Sequence, residues 1–139
     1  MNELHENNYQ SLIDLAVEAR RTAYARYSRY QVGAALRTRS GRIYTGCNIE
    51  NAAYPVSICA ERVAIFKAVS EGEKDFEVIA VVTRDGGTPC GSCRQVMSEF
   101  GLDTVVLVAD EKGNLVMKTR VGDLLPGAFT AGSLPTDKG

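Results

Sequence analysis

The sequence has no tryptophan and only one histidine, His5. His5 lies in a polar N-terminal segment and is not expected to be a metal ligand or a general base, so proton transfer is expected to fall to a carboxylate. The chain also lacks an apolar run of membrane-spanning length, and its start has neither the basic nor the apolar part of a signal peptide. We therefore expect a cytoplasmic protein with no membrane partner.

Neither basic nor acidic residues are in clear excess. The 16 Lys and Arg residues are balanced by 17 Asp and Glu residues, which gives a formal net charge of −1. A nucleic-acid-binding protein normally carries a basic excess that replaces counterions along the phosphate backbone, so no nucleic-acid partner is expected. Only four cysteines are present, and without a secretory signal they favour metal binding over disulfides.

The hydrophobic pattern predicts one domain over residues 1–139. Helical spacing of apolar residues predicts a helix at about 9–24, and alternation predicts strands at 30–38 and 42–50. The remaining elements are helices at about 59–71 and 91–100 and strands at 78–82, 105–108 and 115–121. This order indicates an α/β fold, a three-layer α-β-α sandwich with a mixed sheet. The tail from about 131 to 139 is expected to be poorly ordered.

Three cysteines lie at the predicted starts of two helices: Cys59 in one, and the pair Cys90 and Cys93 in the other. The positive end of a helix favours the thiolate that a metal requires. Three thiolates can hold a tetrahedral zinc and leave one position for water, which is the arrangement of a catalytic site. Glu61 lies two residues beyond the first thiol, as in zinc-dependent nucleobase deaminases. If Glu61 acts as both base and acid, its pKa is expected to be raised by a water-poor pocket.

Two other interpretations of the cysteines stay open: a redox dithiol, and a structural zinc site closed by Cys47 as fourth ligand. We disfavour Cys47 as a ligand because period-two geometry places it on what the sequence suggests is the apolar face of its strand. Asn48 and Glu50 lie on the opposite face, at a spacing that suits two neighbouring hydroxyl groups. Arg62 and Arg94 directly follow the thiol motifs. A hydrogen bond to a ligand sulfur is favoured for Arg62, whereas for Arg94 a surface position is equally acceptable.

Several motifs together resemble the small, homotetrameric class of cytidine deaminases. They are the segments 31–35 (QVGAA), 46–52 (GCNIENA), 59–62 (CAER), 89–95 (PCGSCRQ) and 124–129 (LLPGAF). The resemblance extends over roughly residues 9–129. It implies a five-stranded sheet between helices and a homotetramer with shared active sites. It also implies hydrolytic deamination of cytidine and 2′-deoxycytidine, a reaction of pyrimidine salvage.

The same resemblance implies roles for individual residues. One zinc ion per chain is held by Cys59, Cys90 and Cys93, with Glu61 as the proton shuttle and Arg62 as a hydrogen-bond donor to the sulfurs. Asn48 and Glu50 hold the ribose hydroxyls, and the other substrate-binding positions are Ala60, Tyr30, Tyr54 and Phe129. Of these, Tyr54 and Phe129 match aromatic residues that are donated across a subunit interface. Core packing is the alternative role for the three aromatic residues.

Two positions depart from the family pattern: Tyr30 stands where phenylalanine is frequent, and Arg26 where proline is common. A phenol hydroxyl near the base or the ribose is expected to alter the range of substrates. Two rival functions stay open besides this one: a deaminase of a cytosine nucleoside antibiotic of the blasticidin type, and a non-catalytic zinc-binding module. Asn48 and Glu50 favour an ordinary ribose over the antibiotic.

Overall fold

The computed structural model describes residues 2–135, with side chains from residue 8 onward. The side chain of His5 and residues 136–139 of the tail lie outside the described part. The elements, in chain order, are α1 (Asn2–Arg20), β1 (Gly33–Thr38), β2 (Ile43–Cys47), α2 (Ala60–Ser70), β3 (Phe76–Val82), α3 (Gly91–Glu99), β4 (Val105–Ala109), β5 (Leu115–Arg120) and α4 (Val121–Leu124). Short 3-10 turns occur at Tyr54–Val56 and Ala131–Ser133.

The five strands form one mixed sheet in the order β2-β1-β3-β4-β5. Only β3 and β4 run parallel, and α3 connects them, whereas the other neighbouring strands are antiparallel. A parallel pair needs a crossover connection of this kind. Both faces of the central strand β3 are covered: six of its seven residues are buried, as the continuous apolar run predicts.

Two apolar clusters lie on opposite faces of the sheet. One is built around α2, α3 and α4 and includes Ala64, Met97 and Val121. The other is built around α1 and includes Leu12 and Ile13. The predicted three-layer α-β-α sandwich with a five-stranded mixed sheet is therefore confirmed. In the described part of the chain, no helix combines the length and apolar character that crossing a bilayer requires.

Three predicted elements extend past an observed end. The second strand ends at Cys47 rather than at about 50. The first helix ends at Arg20 instead of about 24, because Tyr24 leaves the helical path to form a β-bridge with Ile49. The first strand begins at Gly33 rather than at about 30. The backbone of Val32 donates to the side chain of Asn48 at 2.9 Å, so a side chain takes over the hydrogen bond that a longer strand would have made.

The predicted facing of β2 is wrong. The alternation is present, but Tyr44 is the buried residue, at 8% exposure, while Ile43 is 45% exposed and Ile49 is 44% exposed. The reason is that β2 is an edge strand whose buried face packs against α2, which leaves the face carrying Ile43 and Cys47 only partly covered.

A glycine in β2 allows α2 to approach the sheet closely. A Cβ atom built on Gly46 would lie 2.6 Å from the carbonyl oxygen of Ala60 and 2.7 Å from the backbone nitrogen of Ala64. Both contacts are with helix backbone, which cannot move aside as a flexible side chain can. Because α2 begins directly after Cys59, this close packing also sets the position of that candidate zinc ligand.

We predict that Gly46→Ala lowers the free energy of unfolding by about 1 to 3 kcal/mol, because overpacking forces the backbone of α2 away from β2. Urea unfolding of the zinc-loaded protein, followed by circular dichroism, measures the change. The control is Gly132→Ala, whose Cβ meets nothing nearer than 3.6 Å. Equal stability of the two variants would contradict the packing argument.

Candidate metal centre and active site

The three candidate ligand thiols lie where the N-termini of α2 and α3 meet. Cys59 is the N-cap of α2, Cys90 is the N-cap of α3, and Cys93 lies in the first turn of α3. Neither N-cap side chain makes a capping hydrogen bond, so both sulfurs are free to face a common centre. The predicted placement of the cysteines at helix starts is confirmed.

Two of the sulfur–sulfur distances are close to those of a tetrahedral zinc site. The Sγ of Cys90 lies 3.8 Å from that of Cys59 and 3.5 Å from that of Cys93, and all three lie within 4.8 Å of one another. Zn–S bonds of 2.3 Å give a tetrahedron with edges of about 3.8 Å. Soft thiolate donors at this spacing fit zinc. Cys47 is not in the cluster, and its sulfur instead lies 3.7 Å from the hydroxyl of Thr22.

One thiol of the cluster, Cys59, already favours the thiolate form. The hydrogen bond from Cys93 lowers the pKa of Cys59 to about 5, and Arg62 contributes in the same direction. Conversely, its hydrogen bond with Cys59 and its burial raise the pKa of Cys93. The first thiolate therefore forms at Cys59, at the start of α2.

The hydrogen bond that was predicted from Arg62 to a candidate ligand sulfur is present. The Nη2 of Arg62 donates to the Sγ of Cys59 at 3.3 Å, which offsets part of the charge that three thiolates place around a divalent cation. Its Nε is buried and has no hydrogen-bond partner among the described residues. The Nε–H group is thus a second hydrogen-bond donor of Arg62 near the sulfurs, which is consistent with an anionic metal site at this position.

Arg94 matches neither of the two proposed roles, because it neither contacts a sulfur nor lies free on the surface. Its guanidinium donates to the carbonyl oxygens of Pro89 and Leu124 and to the hydroxyl of Thr88, at 2.8 to 2.9 Å. It therefore ties the loop that precedes Cys90 to the end of α4.

Glu61 lies in the first turn of α2 and is only 4% exposed. Burial raises the pKa of its carboxyl group to about 7, in the direction that the sequence analysis expects. A carboxyl group with this pKa can accept and release a proton near neutral pH.

A cavity of about 590 Å³ opens above the cluster. Most of the predicted site residues line it: Tyr30, Asn48, Glu50, Tyr54, Cys59, Ala60, Glu61, Arg62 and Cys90. Two predicted residues do not: Cys93, which is fully buried, and Phe129, which is 58% exposed. The volume is in the range of small-molecule sites.

Asn48 and Glu50 project into this cavity from the extended chain that follows β2. Ile49 between them forms β-bridges with Tyr24 and Ile58, which holds this segment in place. The Oδ1 of Asn48 accepts from Val32 N at 2.9 Å, and its Nδ2 donates to the carbonyl oxygen of Tyr30 at 2.8 Å. One N–H and one acceptor site of this amide remain available to a ligand.

The three aromatic residues have different surroundings. Tyr30 is partly buried at the cavity wall, and its hydroxyl donates to the Oδ1 of Asp85 at 3.1 Å. Tyr54 lines the cavity but is 70% exposed, and Phe129 is exposed outside it. Core packing within this chain is therefore excluded for Tyr54 and Phe129.

Five polar residues with no predicted role also line the cavity: Ser28, Ser57, Thr83, Thr88 and Ser92. Ser28 belongs to a turn and contacts Glu50. Thr83 directly follows the buried strand β3, and its hydroxyl accepts from the backbone of Gly86 and Gly87 at 2.8 and 2.7 Å. Its position directly after an apolar strand is the sequence pattern that could have indicated a site role for Thr83.

A family model described as the cytidine and deoxycytidylate deaminase zinc-binding region matches residues 6–109. The chain belongs to this deaminase family. Cytidine deaminase of Halalkalibacterium halodurans is 51% identical over 125 residues, which cover 88% of this chain and 94% of the relative. Blasticidin-S deaminase of Bacillus cereus is 34% identical over 129 residues, which cover 86% and 90% of the two chains.

Solved structures of this deaminase family have the same fold. The crystal structure of cytidine deaminase from Burkholderia pseudomallei superposes with a TM-score of 0.82 and 46% identity. The match covers 86% of this chain and 97% of that one. The sheet order and the helix layers described above are thus those of a deaminase domain.

We predict that Cys59→Ser, Cys90→Ser and Cys93→Ser each weaken zinc binding at least tenfold, because serine is a poor ligand for zinc. The matched control is Cys47→Ser, which is expected to keep one zinc ion per chain. Competition with a chromogenic chelator measures the affinity. Loss of zinc from the Cys47→Ser protein would instead indicate a site closed by four thiolates.

Proposed function

We propose that this protein catalyses the zinc-dependent hydrolytic deamination of cytidine and 2′-deoxycytidine to uridine and 2′-deoxyuridine, with release of ammonia, as a step of pyrimidine salvage in the cytoplasm. One observation carries the proposal: the buried carboxyl group of Glu61 shares one cavity with Cys59 and Cys90 and with the polar pair Asn48 and Glu50. A structural zinc site has no need of an adjacent buried carboxyl group or of a cavity of ligand size.

The chemistry is divided between the metal and Glu61. A zinc ion held by Cys59, Cys90 and Cys93 supplies Lewis acidity, which makes water acidic enough to react at neutral pH. Glu61 takes a proton from the attacking water and delivers one to the ring nitrogen beside the amino-bearing carbon, which makes that carbon electrophilic. It then takes the remaining proton of the added hydroxyl group and delivers it to the amine, which leaves as ammonia. One carboxyl group thus acts in turn as base and acid.

The polar pair suits a sugar. Asn48 retains one N–H donor and Glu50 retains one acceptor position beside the hydrogen bonds that they make with backbone groups and with Ser28. A hydroxyl group can accept from the amide and donate to the carboxylate at the same time. Tyr30 and Ala60 complete the chain's own wall around the ligand.

The site includes residues that are expected to come from another copy of the chain. Tyr54 and Phe129 are large apolar side chains that this chain leaves mostly exposed. Exposed apolar side chains beside a cavity are typical of an interaction surface. We propose a homotetramer of single-domain subunits in which each active site is completed by a neighbouring subunit.

The substrate class is tested with the zinc-loaded protein and an ultraviolet assay on cytidine, 2′-deoxycytidine, deoxycytidylate and blasticidin S. Turnover of the two nucleosides is the expected result. Turnover of blasticidin S alone would support the antibiotic deaminase. One zinc ion per chain without turnover of any compound would identify a non-catalytic zinc-binding module.

We predict that Glu61→Gln lowers kcat by about 10³-fold or more, because the amide cannot carry the proton. Zinc content and nucleoside binding are expected to stay within about threefold of wild type, since glutamine conserves size and polarity. Metal analysis and calorimetry with cytidine check these two properties. Near-normal turnover by the zinc-loaded variant would disprove the proton-shuttle role.

We predict that the active species has a mass, measured by analytical ultracentrifugation, of about four times the 15.1 kDa mass of the chain.

Phe129→Ala is expected to raise KM about tenfold, since burial of an aromatic side chain against the ligand is lost. Co-expression of Phe129→Ala with Glu61→Gln chains is expected to restore a population of sites with wild-type KM. Such hybrids combine an intact Glu61 from one chain with an intact Phe129 from the other. Hybrids that retain only the raised KM would show that Phe129 acts within its own chain.

A further inference from the structure

Ser28 occupies a turn that is folded against the carboxylate of Glu50. Arg29 closes this turn: its backbone nitrogen donates to the carbonyl oxygen of Ala25 at 2.9 Å, and its φ of 60° reverses the chain. The N–H groups of Tyr27 and Ser28 donate to the Oε1 of Glu50 at 2.8 and 3.0 Å. The hydroxyl of Ser28 donates to the other oxygen, Oε2.

The hydroxyl proton of Ser28 can point in only one productive direction. Its Oγ accepts from the backbone nitrogen of Tyr30 at 3.0 Å, so the single hydroxyl proton is directed to Glu50. Ser28 therefore connects the backbone of Tyr30, which forms one wall of the cavity, to the carboxylate on another wall. Both residues line the same cavity as Ser28 itself.

These contacts occupy most of the carboxylate of Glu50. A carboxylate has about four acceptor positions, and three of them are taken by Tyr27 and Ser28. Without the hydroxyl of Ser28, hydrogen bonds would hold only Oε1 of Glu50, and the position of Oε2 would no longer be fixed. A glutamate side chain loses rotamer freedom when it is fixed by a ligand. Anchoring both oxygens in the free protein removes part of that cost from ligand binding.

We propose that Ser28 is a positioning residue for sugar recognition: its hydroxyl orients the free acceptor site of Glu50 toward a sugar hydroxyl. The inference rests on the proposed nucleoside substrate and adds a residue to which no role has been given above. A purely structural role for Ser28 would affect all substrates alike. A role through Glu50 requires that the substrate carry the hydroxyl that Glu50 accepts.

The test compares Ser28→Ala with Ser28→Thr in the zinc-loaded enzyme, using cytidine and 2′,3′-dideoxycytidine. For cytidine, Ser28→Ala is expected to raise KM about tenfold with kcat within about twofold, the effect of losing a charge-assisted hydrogen bond before chemistry. Ser28→Thr is expected to restore KM, because it retains the hydroxyl and position 28 is exposed. With the dideoxynucleoside, the ratio of kcat/KM between wild type and Ser28→Ala is expected to fall to about one.

The matched control is Ser40→Ala. Ser40 makes the same kind of bond, from its hydroxyl to the carboxylate of Glu73 at 2.9 Å, but it does not line the cavity. This variant is expected to leave the kinetics of both substrates unchanged. An equal loss of kcat/KM for cytidine and the dideoxynucleoside in Ser28→Ala would overturn the proposal, as would failure of Ser28→Thr to restore KM.

A second measurement does not depend on turnover, so it separates failure of this inference from failure of the proposed function. The hydrogen bond from Ser28 holds the pKa of Glu50 below its usual range. A carbon-detected NMR titration of the Glu50 carboxyl group is expected to show a higher pKa in Ser28→Ala and the wild-type value in Ser28→Thr. An unchanged titration in Ser28→Ala would refute the anchoring role whether or not the protein deaminates cytidine.

Discussion

The site depends on the meeting of two helix N-termini. The starts of α2 and α3 bring three thiols within 4.8 Å of one another, and the positive end of α2 favours the thiolate form of its N-cap residue, Cys59. Because Glu61 lies in the same first turn of α2 as the thiol of Cys59, the geometry that builds the metal site also places the carboxyl group beside it. The close packing of α2 on Gly46 then fixes this arrangement against the sheet.

The substrate side of the cavity is organised by a different principle. The residues around Asn48 and Glu50 form isolated β-bridges instead of a regular strand, and side-chain to backbone hydrogen bonds add to these bridges. These bonds leave a small number of donor and acceptor sites free, which is what recognition of a hydroxyl group requires. The chain thus combines a metal site held by regular elements with a polar wall held by hydrogen bonds between separate segments of the chain.

Much of the site could be predicted from sequence because its chemistry is local. Thiols at helix starts, a carboxylate two residues beyond one of them and two polar residues at alternate positions of a strand are all short-range patterns. The facing of β2 could not be predicted in this way. Alternation separates Tyr44 from Ile43, but which of the two is buried depends on where α2 packs, and in an edge strand the more apolar face need not be the covered one. The role of Arg94 was missed for the same reason, since its partners Pro89 and Leu124 lie on separate elements.

The sequence by itself determined the ligand types, the helix starts that carry them and the alternation of strands and helices, since each of these follows from the chemistry and spacing of neighbouring residues. Only the tertiary structure decided which side chains share the cavity, how many hydrogen-bonding sites of Asn48 and Glu50 remain free, and that Ser28 contacts Glu50 across 22 positions. These features arise from contacts between segments that are distant along the chain. Their geometry is set by packing of the whole domain, so no local pattern encodes it.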